Sequence, residues 1–193
     1  MQGIQGLNAH QLNSILSRDP YVGPSFGGVY PRDVLPDYLP YGKHSFIVNT
    51  DPHDQPGEHW VAIHFIGHQI AEYFDSYGLP PWIYPDIYQF MKRHADRVMY
   101  NQQMYQHPRT KVCGHYCVYY LRQRHRGVPS HVLFQRLFHH PSPRRPIDPL
   151  RNDRFIWRWF RDQYRIPVPK SVRYQSCQPR QDLITPRNPN RPI

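Results

Sequence analysis

Cys113 is the residue best placed for covalent chemistry. It opens a segment in which Val112, Cys113, Tyr116, Cys117, Tyr120 and Leu121 recur at helical spacing. A thiol at a helix N-terminus sits at the positive end of the dipole, which favours the thiolate, and the thiolate is the species that attacks carbonyl carbon. The commoner fate of an isolated cysteine is that of a small buried apolar side chain. A nucleophilic cysteine also needs a base. Of the 13 histidines, His59 stands out at the head of an alternating run, 59–66, beside Trp60. His139 and His140 lie in a Pro-rich stretch, and His10, His44 and His131 have the context of surface residues. The base in turn needs an orienting group. Runs 59–66 and 70–75 read as two strands of a hairpin turning at Gly67-His68. A three-residue loop of Ile66, Gly67 and His68 would set Asp75 directly opposite His59, whereas a two-residue loop would set Ser76 there. Acyl transfer finally requires donors for an oxyanion. The Cys113 N–H, unpaired at a helix start, is one. The Gln106 side-chain amide, seven residues upstream, is a second, with Gln102 and Gln103 as competitors.

These residues need elements to hold them. Residues 7–16 predict a short helix stopped before Pro20, residues 20–42 a Gly/Pro/Tyr-rich loop, and residues 45–49 a strand. Residues 84–100 predict one helix, and residues 112–125 the strongest helix, with Gly127 as its stop. A further short helix is expected over 131–138. Over 151–165, Arg151, Arg154, Arg158, Arg161 and Arg165 fall on one helical stripe, beside Phe155, Ile156, Trp159 and Phe160. The expected division is a domain over 1–166 and a basic Pro/Arg/Asn-rich extended or disordered arm over 167–193.

Composition bounds the reading. A chain of 193 residues with 15% aromatics can bury a core without disulfide or metal. No apolar run approaches the ~18 residues of a membrane span and no signal peptide opens the chain, so the expectation is a soluble protein with no membrane partner. Three cysteines (Cys113, Cys117 and Cys177) form no secreted disulfide framework and point to a reducing compartment. The spacing Cys113-x-His115-x-Cys117 lacks a second ligand pair, so no metal is expected. Residues 1–143 carry 12 Lys+Arg against 10 Asp+Glu; residues 144–193 carry 12 Lys+Arg against 4 Asp. A basic C-terminal part on a nearly neutral body suits a polyanion such as nucleic acid, or serves solubility alone.

Taken together, His59, Asp75, Gln106 and Cys113 resemble the site of the adenovirus-type cysteine endopeptidases. That group shares the chain order His, Asp or Glu, Gln, Cys with the ubiquitin-like-protein proteases. The resemblance is carried by Gly23-Pro24-x-Phe26-x-Gly28-x-Tyr30, by Ile47-Val48-Asn49-Thr50 ten residues before His59-Trp60, by Tyr73-Phe74-Asp75-Ser76-Tyr77-Gly78, and by Gln106-x6-Cys113-Gly114-x-x-Cys117. It spans residues 7–127.

The resemblance implies a papain-like-clan α+β fold, with a small mixed sheet packed on a central helix that starts at the nucleophile. It implies Cys113 as nucleophile, His59 as general base and then acid, Asp75 as the group holding the imidazole, and Gln106 with the Cys113 N–H as oxyanion donors. In such pairs the thiol pKa falls to ~3–4. Asn49 and Trp60 would shape the substrate cleft. The activity implied is hydrolysis at small or Gly-containing sites, maturing capsid or core precursor proteins of a virus or virus-like element, in virion and host nucleus. Residues Arg151 to Arg165 would hold double-stranded DNA. Activation by DNA or a viral peptide is part of the family pattern. Residues 1–112 contain no cysteine, so a disulfide-tethered activator does not fit. Asp75 stands where the adenovirus enzymes have Glu. Two rivals are a deconjugase of a ubiquitin-like modifier and a non-catalytic nucleic-acid-binding protein that keeps the fold. The second should show a broken triad, and here all four residues are present.

Overall fold

Runs of β-branched and aromatic residues build a sheet that is buried on both faces. The structure, a computed structural model, describes residues 5–42, 44–137 and 148–165. Its elements in chain order are α1 (Ala9–Ser17), β1 (Phe26–Pro31), β2 (Ser45–Asn49), β3 (Trp60–Ile66), β4 (Ile70–Phe74), α2 (Pro85–His94), β5 (Arg97–Tyr100), α3 (Cys113–His125), α4 (Ser130–Leu137) and α5 (Pro149–Tyr164). The strands order as β1-β2-β3-β4-β5. The outer pairs are parallel and the inner pairs antiparallel, so the sheet is mixed and the fold is α+β.

Alternation along the strands sorts side chains between two cores. Ile47, Ala62 and Phe74 face a cluster with Leu12, Tyr116, Cys117, Leu121 and Phe160, which belong to α1, α3 and α5. Phe46, Val48, Val61, Ile63 and Tyr73 face the other way, onto Ile87, Phe90 and Met91 of α2. Helix α3 is thus central and buried along most of its length. Helix α5 packs on it through Ile156 and Phe160, the latter 4.5 Å from the His115 ring.

Three expectations change. The stretch 20–42 holds a strand, β1, whose Gly27 lies where a Cβ would collide with the Phe46 ring. Small residues are required by that close approach, so the segment reads as loop from its composition. The single helix over 84–100 ends at His94, and residues 97–100 form the edge strand β5 instead. The hairpin register also differs. Ile66 pairs with Ile70 and Ala62 with Phe74, so the loop is Gly67-His68-Gln69. Continued outward, that register sets Tyr77, not Asp75, opposite His59. The arm over 167–193 lies outside the described residues.

Candidate active site

The chain leaves β4 at Phe74 and turns, and this turn supplies the acid. Asp75 is the diagonal neighbour of His59 across the hairpin, on the same face, which brings the carboxylate within reach despite the shifted register. His59 Nε2 and Asp75 Oδ1 are 2.7 Å apart. Both residues are buried, at 7% and 0% exposure. The carboxylate is fixed in turn. Oδ1 accepts the Tyr77 N–H at 2.7 Å, and Asn101 brackets the Asp75 backbone, accepting its N–H at 2.9 Å and donating to its carbonyl at 2.6 Å.

With Nε2 turned to Asp75, Nδ1 is the ring nitrogen left over. Nδ1 is buried and makes no regular hydrogen bond. Burial disfavours a charged imidazole, but the Asp75 hydrogen bond and the neighbouring Cys113 sulphur outweigh it and push the His59 pKa up to about 9. Cys113 is the first residue of α3. The residue before it, Val112, offers no side-chain cap. Valine is among the poorest N-caps, so the first-turn N–H groups are left for another acceptor. Cys117, one turn on, donates its thiol to the Trp60 carbonyl, and burial pushes its pKa well up. It is a packed thiol.

Gln106 is fully buried and locked to the acid's own turn. The Ser76 carbonyl accepts from the N–H groups of Tyr105 and Gln106, and Ser76 Oγ donates to Gln106 Oε1 at 2.8 Å. Gly78 closes the same junction. Its φ is +72°, and a Cβ there would lie 2.6 Å from the backbone of Gln103. The Gln106 Nε2 donates to the Thr110 carbonyl at 2.7 Å and to the Tyr77 hydroxyl at 3.1 Å. The competitors Gln102 and Gln103 are exposed.

An open cleft of about 990 Å³ runs past Cys113. Asn49 and Trp60 both line it, with Tyr77, Leu7 and Lys111. Trp60 Nε1 donates to the Leu7 carbonyl at 2.9 Å, and Asn49 Oδ1 accepts the Asp51 N–H at 2.8 Å. Gly57, at φ +82°, packs where a Cβ would strike Asn49. The residue pair therefore shapes the cleft by anchoring the segments on its two sides.

The arginine stripe lies on α5. Arg151, Arg154, Arg158 and Arg165 are exposed, while Arg161 is half-buried and paired with Asp162 at 2.6 Å. The opposite face of α5 carries Asp153, which accepts from the His107 N–H, the Thr110 hydroxyl and the Tyr116 hydroxyl. This acid holds the loop that carries Gln106. Sequence reasoning missed Asp153, Ser76, Tyr77 and Asn101 as site residues. For Ser76 and Tyr77 the signal was adjacency to Asp75; for Asn101 and Asp153 the pattern offered none.

Among the described residues no three or more His, Cys, Asp or Glu side chains are grouped to hold a metal ion, and no helix is long and apolar enough to cross a membrane. No protein-family model matches the sequence, and no curated protein is significantly similar to it. Among solved structures, the central domain of the uncharacterized Lpg1148 protein from Legionella pneumophila is similar to 84% of this chain over 98% of its own length. The two are 16% identical, with a TM-score of 0.45.

Proposed function

We propose that the protein is a cysteine endopeptidase of the papain-like clan. One observation carries the reading: His59 is bonded to Asp75 at 2.7 Å through Nε2, while Cys113, at the uncapped start of α3, is close enough to help push the imidazole's pKa up to about 9. That arrangement lets His59 take the Cys113 proton and so generate the attacking thiolate. In the reaction, the Cys113 thiolate attacks the scissile carbonyl carbon, and the C=O π pair moves onto oxygen. The pair returns as the C–N bond breaks, and the His59 imidazolium gives its proton to the leaving amine. Neutral His59 then takes a proton from water, the hydroxide adds to the thioester, and the C–S bond breaks to return thiolate and imidazolium. The sequence resemblance to the adenovirus-type enzymes supplies the substrate class, small or Gly-containing sites in structural precursor proteins of a virus or virus-like element.

The test needs no substrate. Iodoacetamide alkylation of Cys113, Cys117 and Cys177 is followed against pH by mass spectrometry, in the wild type and in His59→Ala. Cys113 is expected to react at pH 6 on the order of 10²-fold faster than Cys177, and His59→Ala to remove that advantage. A Cys113 that reacts no faster than Cys177 and ignores His59, with and without DNA, overturns the reading.

We further propose that the exposed face of α5 binds double-stranded DNA through Arg151, Arg154, Arg158, Arg161 and Arg165. Replacing Arg151, Arg154, Arg158 and Arg161 together by Ala should abolish binding at physiological salt, and wild-type affinity should fall steeply as salt is added. Binding that survives the fourfold change sinks this assignment.

A further inference from the structure

Tyr77 contacts His59, Asp75 and Gln106. Its ring stacks on the His59 imidazole, with centroids 4.7 Å apart and planes at 26°. Its N–H donates to Asp75 Oδ1 at 2.7 Å, and it lines the cleft beside Cys113. Its hydroxyl accepts from Gln106 Nε2 at 3.1 Å. That last contact bears on the oxyanion hole. A side-chain amide has two N–H protons, and those of Gln106 point to the Thr110 carbonyl and the Tyr77 oxygen. Gln106 Oε1 is held by the Ser76 hydroxyl, which fixes the amide's orientation. A substrate oxygen arriving at Cys113 therefore meets no free Gln106 proton. Among the described residues, the Tyr77 O–H proton has no acceptor of its own.

We propose that the Tyr77 hydroxyl is a catalytic residue, the side-chain donor to the oxyanion, with the Cys113 N–H as the backbone donor. Gln106 then acts as a positioning residue that holds and polarises the phenol, in place of the direct donor its sequence position implied. The inference rests on the protease reading. During the reaction the C–S bond forms and the C=O π pair moves to oxygen, where the phenol donates a hydrogen bond without giving up its proton. The pair returns when the C–N bond breaks. Burial, and then the charges of Cys113 and Asp75, push the Tyr77 pKa up to about 12, so the donor stays protonated through the neutral range.

Tyr77→Phe keeps the stacked ring and removes only the donor. The full chain is compared with wild type in two assays. Alkylation of Cys113 by iodoacetamide needs the thiolate–imidazolium pair but develops no oxyanion. Inhibition by the peptide aldehyde acetyl-Leu-Gly-glycinal forms a tetrahedral hemithioacetal whose oxygen occupies the hole. The variant should alkylate within about twofold of wild type and bind the aldehyde roughly 10²-fold more weakly, the scale on which one oxyanion donor counts. Gln106→Leu should weaken aldehyde binding as well. Unchanged aldehyde affinity in Tyr77→Phe overturns the proposal. Tighter binding also overturns it, and would identify the hydroxyl as a block on the Gln106 amide. Equal losses in both assays would mean general damage to the site and overturn the specific role. If the wild type shows neither fast alkylation nor aldehyde binding, the protease reading falls and takes this inference with it.

Discussion

The two ends of helix α3 treat polar groups in opposite ways. At its C-terminal end Arg122 and Arg124 are both answered by carboxylates. Arg124 donates to Glu72 at 2.6 Å and 3.2 Å, and Tyr120 and Ser130 add hydroxyls to the same carboxylate. Arg122 reaches Asp19 at 2.7 Å and Gln163 at 2.7 Å, and Tyr164 completes the group. At its N-terminal end the helix has no side-chain cap, and His59 Nδ1 and Asp75 Oδ2 are buried without a regular partner. Buried polar groups left open cost stability and are retained where they do chemistry. Under the proposed function, one end of the helix holds the fold and the other reacts.

The comparison breaks most visibly under substitution. Under the proposed function, Cys113→Ala should lower peptidase activity at least about 10³-fold, because both the proposed nucleophile and its pairing with His59 are gone. Its urea midpoint should stay in place or rise, since an unsatisfied site is relaxed. Glu72→Ala should do the reverse. It strands a largely buried Arg124 with only the Val128 carbonyl left and should cost up to about 3 kcal/mol in urea unfolding, while Cys113 in the folded fraction keeps its iodoacetamide reactivity. A large stability loss in Cys113→Ala, or a dead but stable Glu72→Ala, would show that the two ends are not separate.

The sequence carried the reacting end more fully than the rest. His59, Asp75, Gln106 and Cys113 could be singled out because chemistry restricts their types and order; the structure bonds His59 to Asp75, ties Gln106 to the neighbouring Ser76, and sets Cys113 on the cleft. The strong pattern of α3 was legible because its apolar residues recur at helical spacing. Strand β1 was not, because Gly27 answers to the Phe46 ring and Gly28, at φ +129°, to Tyr30, and neither carries hydrophobic alternation. The register was not, because a three-residue loop can begin at Ile66 or at Gly67, and the observed Gly67-His68-Gln69 sits one position later than the Ile66-Gly67-His68 loop that would pair His59 with Asp75. Asn101 and Asp153 were silent for a different reason. Each acts across 26 or more positions of sequence, on a partner that only the fold brings near.

Two groups of histidines sharpen the comparison on a smaller scale. His59 binds a proton more tightly folded than unfolded, with its pKa raised from 6.5 to about 9. Between pH 6.5 and 9 that ring holds more protons in the folded state than in the unfolded state, so its own contribution to stability falls as pH rises. His64 and His115 do the opposite. Burial, joined for His64 by the charges of His125, Arg124 and His44, lowers their pKa values from 6.5 to about 3 and about 4. Below pH 6.5 the unfolded state takes protons that the folded state refuses, so stability falls as pH drops. These groups together place a maximum near pH 6.5 in a urea-midpoint profile. His59→Ala should flatten the alkaline limb and leave the acid one. His115→Leu should flatten part of the acid limb and leave the alkaline one. A profile in which either variant moves both limbs together would show that the reacting pair and the buried neutral histidines titrate as one system, and the separation drawn along α3 would fail at the level of protons.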